Sequence, residues 1–212
     1  MRDLAIFGAG GFGRELACLI NMLNKKIPTW NLIGYFDDNP ELKGKRNEYG
    51  DILGGKNELN AWDRPLSVFM AIGSGSVVKK VVAGLHNDYL EFPNFFYQTT
   101  FSDENNVQLG KGNILIGTHF SCAVRLGDFN VMNGDVVFGH DDIIGNYNTF
   151  MPGVRISGEV KMGDECFFGV GSIVLQQLKI GDRVKLSAGS VMMTKPKNDS
   201  LYIGNPAKLF KY

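Results

Sequence analysis

The chain runs to 212 residues, which allows one large domain or two small ones, and its halves read so differently that two are expected. Lysine plus arginine balances aspartate plus glutamate at 22 each, so no basic surplus draws it to nucleic acid or anionic lipid. No segment approaches the roughly 20 apolar residues that span a membrane, and Cys18, Cys122 and Cys166 form neither a metal spacing nor an even disulfide set; a cytoplasmic setting with no membrane or nucleic-acid partner is expected.

In chain order, Leu4-Ala5-Ile6-Phe7 reads as a buried strand, too short for a signal-peptide core. Gly8-Ala9-Gly10-Gly11-Phe12-Gly13 reads as a tight turn, with a helix predicted from near Arg14. Glycines at this spacing let backbone amides approach a pyrophosphate at a helix N-terminus. A second strand, residues 32–36, ends in Asp37-Asp38, where a dinucleotide fold places its ribose-binding acid. A third, residues 67–72, ends in Gly73-Ser74-Gly75-Ser76 before an amphipathic helical run over 77–85. No second mononucleotide half follows, and half a dinucleotide fold suits half a dinucleotide. Residues 1–95 are therefore read as a Rossmann-like α/β half domain for a nucleotide-linked sugar. Its candidate substrate-binding residues are Gly10, Gly11, Phe12, Gly13, Asp37, Asp38, Gly73 and Ser74.

Residues 96–212 are dominated by a six-residue repeat. From Ile114, every sixth residue is apolar without exception: Phe120, Leu126, Met132, Phe138, Ile144, Phe150, Ile156, Met162, Phe168, Val174, Ile180, Leu186 and Met192. With 44% apolar residues in the chain, such a series arises by chance with odds on the order of one in 10⁵. A six-residue unit fits one short strand and one corner, so three units make a triangular coil of parallel strands with the repeated residue stacked inside. Glycine often follows the repeated residue, as at Gly127, Gly139 and Gly163, and is expected to supply a positive φ at the corner. Four positions after the repeated residue the side chain is usually small or β-branched. Asn130, Asp142 and Asn148 depart from this; they need hydrogen-bond partners, and stacked polar ladders are the expected ones.

The glycine turn, Phe36-Asp37-Asp38, Ala71-Ile72-Gly73-Ser74, His140-Asp141 within the repeat and the closing Gly204-Asn205-Pro206-Ala207-Lys208 together resemble the bacterial nucleotide-sugar acetyltransferases. That family includes sialic acid O-acetyltransferases and N-acetyltransferases of 4-amino sugars. The resemblance implies a left-handed parallel β-helix, acetyl-CoA as donor, no metal, and a homotrimer with active sites between neighbouring subunits. It also implies His140 as catalytic base with Asp141 beside it, and Thr149, Gly158, Val170 and Ala188 along the acetyl-CoA. Two positions depart from the pattern: Phe12 stands where many relatives have histidine, and Thr149 where some place a second histidine.

Acetyl transfer needs a group that takes a proton from the attacking nucleophile, and histidine, with an ordinary pKa of about 6.5, suits that task. Only His86, His119 and His140 are available. Adjacent strand residues point to opposite faces, so Asp141 can reach His140 only if the backbone bends at the corner, and Asp142 is the other possible partner. A backbone N–H such as that of Gly158, one coil of 18 residues further on, is the candidate oxyanion donor. Direct transfer is expected, since no cysteine adjoins His140 in sequence. Two other readings share the glycine turn: an NAD(P)-binding oxidoreductase, and a catalytically silent nucleotide-sugar scaffold. A β-helix zinc enzyme needs three converging histidines, and the coil has two.

Overall fold

The computed structural model describes residues 1–211 and divides into two compact units, one of Met1–Gly73 with Val77–Asn94, the other of Ser74–Ser76 with Phe95 onward. The first contains β1 (Arg2–Phe7), α1 (Gly11–Asn24), β2 (Trp30–Phe36), β3 (Arg46–Asn47), β4 (Gly50–Gly54), α2 (Lys56–Asn60), β5 (Leu66–Met70), most of α3 (Gly75–Ala83) and β6 (Leu90–Glu91). Its sheet runs β3-β4-β2-β1-β5-β6, parallel except for the β3–β4 hairpin. The central strand β1 buries Leu4, Ala5 and Ile6 completely, which is why its sequence is a continuous apolar run and not an alternating one. On α1 the buried residues Gly13, Leu16, Ala17 and Ile20 recur at helical spacing and form one apolar stripe. The helix begins at Gly11, three residues earlier than its sequence predicts, because Gly10 already adopts the extended N-cap conformation. The β3–β4 hairpin and α2 have two to five residues per element, too few to show a period.

The second unit is a left-handed parallel β-helix. Parallel-strand crossovers are usually right-handed, so this hand is one that strand pattern alone does not give. Strands stack in 18-residue steps on each face: Arg125 on Ile143, Lys161 and Lys179; Thr149 on Phe167 and Lys185; Arg155 on Ile173 and Val191. Thirteen of the fourteen repeated residues, Phe120 to Met192, line the core of the coil, none more than 5% exposed; at the start the expected phase slips by one, and Leu115 in place of Ile114 pairs with Met132 and joins that core. Each buried side chain contributes about 1.5–3 kcal/mol, so the ladder is the main source of stability in this unit. Phe101, Phe120 and Phe138 stack with ring centroids 5.4 and 5.3 Å apart, and Phe150 and Phe168 stack at 5.1 Å in the neighbouring column, with Phe150 edge-on to Phe138. The strands Leu201–Ile203 and Lys208–Phe210 close the coil as an antiparallel pair.

The corners correct one expectation. Gly127, Gly139, Gly145 and Gly163 do not have positive φ; that conformation falls two residues later, at Phe129, Asp141, Tyr147 and Glu165. The glycines are required by close packing: a Cβ on Gly127 would lie 2.7 Å from the Gly145 carbonyl oxygen, and one on Gly145 would lie 2.6 Å from that of Gly163. The two asparagine departures form satisfied ladders, whereas Asp142 keeps one carboxylate oxygen without a donor among the described residues. Asn130 Oδ1 accepts the Asn148 N–H at 2.9 Å, Asn148 Oδ1 accepts the Cys166 N–H at 2.8 Å, and their Nδ2 groups donate to Gly145 O and Gly163 O at 3.0 Å each. Both asparagines are buried and serve the stack.

Candidate active site

His140 and Asp141 lie on the corner that follows the strand Val131–Phe138. Asp141 has φ 60°, a left-handed conformation that breaks strand alternation and turns its carboxylate back onto the preceding residue. Its Oδ2 lies 2.8 Å from His140 Nδ1, with both side chains more than half exposed. Asp141, and not Asp142, is thus the partner. A carboxylate at Nδ1 fixes the proton there and leaves the Nε2 lone pair free. Neighbouring coils hold the corner, since Asp141 N–H donates to Cys122 O at 3.0 Å and Glu159 N–H donates to His140 O at 2.8 Å.

Gly158 sits directly against the imidazole. A Cβ there would fall 2.7 Å from His140 Nε2 and 2.9 Å from its Cδ2, so only glycine allows the ring its position. At equivalent corners the second amide is bonded by a side chain one coil on: Asp128 N–H by Asn146, Asn146 N–H by Asp164. At the 157–160 corner the Ser157, Glu159 and Val160 amides have acceptors, whereas that of Gly158 has none among the described residues. Neither of the other two histidines meets a carboxylate among the described residues: His119 bonds Thr100 and Ser102 hydroxyls at 2.9 and 3.3 Å, and the His86 backbone N–H donates to Asn60 Oδ1. Burial pushes the Cys166 thiol up to about 12, so it stays protonated and is no nucleophile.

The remaining positions expected along acetyl-CoA are distributed over the coil. Gly158 shares its edge with His140, whereas the exposed Val170 and Ala188 lie on a different edge, where Gly189 N–H donates to Val170 O at 2.8 Å. Thr149 is buried in the strand Thr149–Phe150 and offers no surface in a single chain. Sequence reasoning missed the face beside Asp141, a cavity of about 680 Å³ lined by Arg125, Asp141, Ile143, Glu159, Lys161 and Lys179 among others. Its cations all precede a repeated apolar residue, a phase readable once the repeat is aligned in steps of 18.

In the first unit, Gly8 has φ 111° and a Cβ there would meet Ala71 O at 2.5 Å, while Gly13 packs on the Gly8 carbonyl. Gly10, Gly11 and Gly73 differ, with open space where a Cβ would stand. Phe12 is half-buried on the first turn of α1. Asp37 Oδ2 accepts the Ala9 N–H and its Oδ1 the Asn39 N–H, both at 2.9 Å, so this acid braces the glycine turn. Asp38 Oδ1 accepts the Lys56 N–H at 2.8 Å, and both acids line a cavity of about 420 Å³ with Lys43, Lys56 and Glu58. Ser74 Oγ lies 3.2 Å from Ser76 Oγ, in the short segment grouped with the second unit. Among the described residues no cluster of His, Cys, Asp or Glu is arranged to hold a metal, and no helix is long and apolar enough to cross a membrane.

A family model described as the PglD N-terminal domain matches residues 3–85. Over 183 residues the chain is 25% identical to a GDP-perosamine N-acetyltransferase of Escherichia coli O157:H7, covering 83% of this chain and 79% of that one. The acetyltransferase domain of PglB from Neisseria gonorrhoeae FA1090, solved in complex with acetyl coenzyme A, matches with a TM-score of 0.84 at 25% identity over 99% of both chains. WeeI from Acinetobacter baumannii AYE matches with a TM-score of 0.87 at 25% identity, over 99% of this chain and 100% of that one.

Proposed function

We propose that this chain, an acyltransferase resembling the bacterial nucleotide-sugar acetyltransferases along nearly its whole length, moves the acetyl group of acetyl-CoA onto the amino group of a nucleotide-linked sugar. One observation carries the chemical reading: a histidine with a carboxylate at Nδ1 lies over a glycine whose N–H has no acceptor among the described residues. The sugar nitrogen attacks the thioester carbonyl as His140 Nε2 removes its proton, and the resulting oxyanion accepts a hydrogen bond donated by the Gly158 N–H. The tetrahedral intermediate collapses, the C–S bond breaks, and the imidazolium returns a proton to the departing CoA sulfur. No acyl-enzyme is required.

The glycine turn, with Gly10 and Gly11 open on their Cβ sides, is the proposed seat of the nucleotide phosphates, and the Asp37–Asp38 cavity that of the nucleoside. The split of Gly158 from Val170 and Ala188 onto different edges favours a homotrimer. One acetyl-CoA site would then take Gly158 from one subunit and the Val170–Ala188 edge from the next. Three free cysteines fit a cytoplasmic enzyme. The test is acetyl-CoA-dependent thiol release across UDP-, GDP-, CMP- and dTDP-linked amino sugars and their hydroxyl counterparts. Turnover confined to amino sugars is expected; turnover with hydroxyl sugars alone would make the enzyme an O-acetyltransferase, and none with any acceptor would leave a binding scaffold.

A further inference from the structure

A second carboxylate lies beneath the His140 corner, and the chemistry above does not use it. Asp142 is completely buried. In steps of 18 it stands between Val124 and Val160, with Leu178 next, so that its three neighbours along this edge are apolar. Its Oδ1 accepts the Val160 N–H at 2.8 Å, and no donor among the described residues reaches its Oδ2.

The neighbouring edge displays the same arrangement with amides. Asn130 and Asn148 each accept, through Oδ1, the N–H 18 residues on, and each donates through Nδ2 to the carbonyl 15 residues on. Asp142 makes the first of these bonds in the same register, and the carbonyl 15 residues beyond it is that of Ser157. Its Oδ2 stands in the place of Nδ2. An ionised carboxylate there would set two acceptors against each other, in a site with no water-facing surface to relieve them. A proton on Oδ2 turns the clash into a hydrogen bond.

We propose that Asp142 works as a protonated acid in an asparagine's place, bridging the Val160 N–H and the Ser157 carbonyl, and so positions the 157–160 corner with its Gly158 beneath the His140 ring. Such positioning is needed because the space between Gly158 and the imidazole is too small for even a Cβ, which would lie 2.7 Å from His140 Nε2. Burial pushes the Asp142 carboxyl up to about 8, with the Val160 and Gly139 backbones pulling the other way and the charge of Asp141 adding to the rise. Its ladder neighbours Val124 and Val160 are uncharged. The titratable groups on the stacked corners are Cys122, His140, Asp141 and Glu159, of which Asp141 supplies the charge acting on it.

This role rests on His140 being the base, and the test keeps the two separable. kcat and both KM values are measured from about pH 6 to about pH 10 for the parent chain, Asp142→Asn and Asp142→Leu, and the Asp142 carboxyl is titrated by ¹³C NMR in the parent. The parent kcat should fall above about pH 8 with KM unmoved; Asp142→Asn should keep neutral-pH kcat within about twofold and lack that fall. Asp142→Leu, apolar like Leu178 in the same ladder, should fold and lose about tenfold or more in kcat. An ionised Asp142 at pH 7, an Asp142→Asn kcat as low as that of Asp142→Leu, or a parental kcat in Asp142→Leu would each overturn the proposal. Should Asp142→Leu not fold, the asparagine variant and the carboxyl titration decide alone. The carboxyl titration does not depend on catalysis, so failure of the His140 reading appears separately, as undiminished turnover in His140→Ala.

Discussion

At Asp141 a φ of 60° does what the sequence could not promise, folding one carboxylate back onto its neighbour's ring at 2.8 Å. Gly158 is the other half of that geometry. Gly158→Ala keeps the backbone N–H but puts a methyl 2.7 Å from His140 Nε2, so the ring must swing away. The variant should fold normally, bind acetyl-CoA, and lose about tenfold or more in kcat; an unchanged kcat would mean the ring has freedom that the structure denies it. Asp142 gives a pH signature of stability. Its unfolded carboxyl titrates near 3.8 and its folded one at about 8, so the native chain holds a proton that the unfolded chain has released. This contribution is complete below about pH 4, declines as pH rises towards about 8, and is level above. Asp142→Asn has no proton to lose. Its melting temperature relative to the parent should therefore climb by several degrees between about pH 4 and about pH 8, and a constant difference would show that Asp142 is charged in the folded chain.

Among the elements, the glycine turn separates two roles that one spacing conflates. Gly8 and Gly13 are sterically required by the fold, whereas Gly10 and Gly11 face open space. Gly11→Val should fold with little loss, because Gly11 has no positive φ and nothing near its Cβ position, yet it should raise the nucleotide-sugar KM and leave that of acetyl-CoA alone. An unchanged sugar KM would move phosphate binding away from the turn. The coil was legible because its period of six marks the inward residues from Phe120 to Met192; it fails only at the first strand, where a register shift puts Leu115 and not Ile114 inside. The hairpin of β3 and β4 was not, since two-residue and five-residue strands carry no period. Corner chemistry was half legible. The need for glycine at 127, 139, 145 and 163 was apparent, but its cause is contact with the next coil, a long-range fact that local turn preferences do not encode. His140 and Asp141 stood out by their place at a corner and by the family resemblance, while the row Arg125, Lys161 and Lys179 became a surface only once the coil stacked residues 18 apart.

For the whole molecule, the edges of the coil decide the assembly argument. If one site draws His140 and Gly158 from one subunit and Val170 and Ala188 from the next, two inactive variants can repair each other. His140→Ala and Ala188→Glu should each be nearly inactive alone, and mixing them under conditions that exchange subunits should restore about one quarter of the sites. No recovery despite demonstrated exchange would place both groups of residues in a single subunit's site. The most direct test of the central claim remains the rate of acetyl transfer from acetyl-CoA to a nucleotide-linked amino sugar by His140→Ala, compared with the parent at saturating substrates. His140→Ala should show a kcat lower by about 10²–10⁴-fold with acetyl-CoA binding retained; a folded His140→Ala chain that binds acetyl-CoA and turns over at the parental rate would remove His140 as the base.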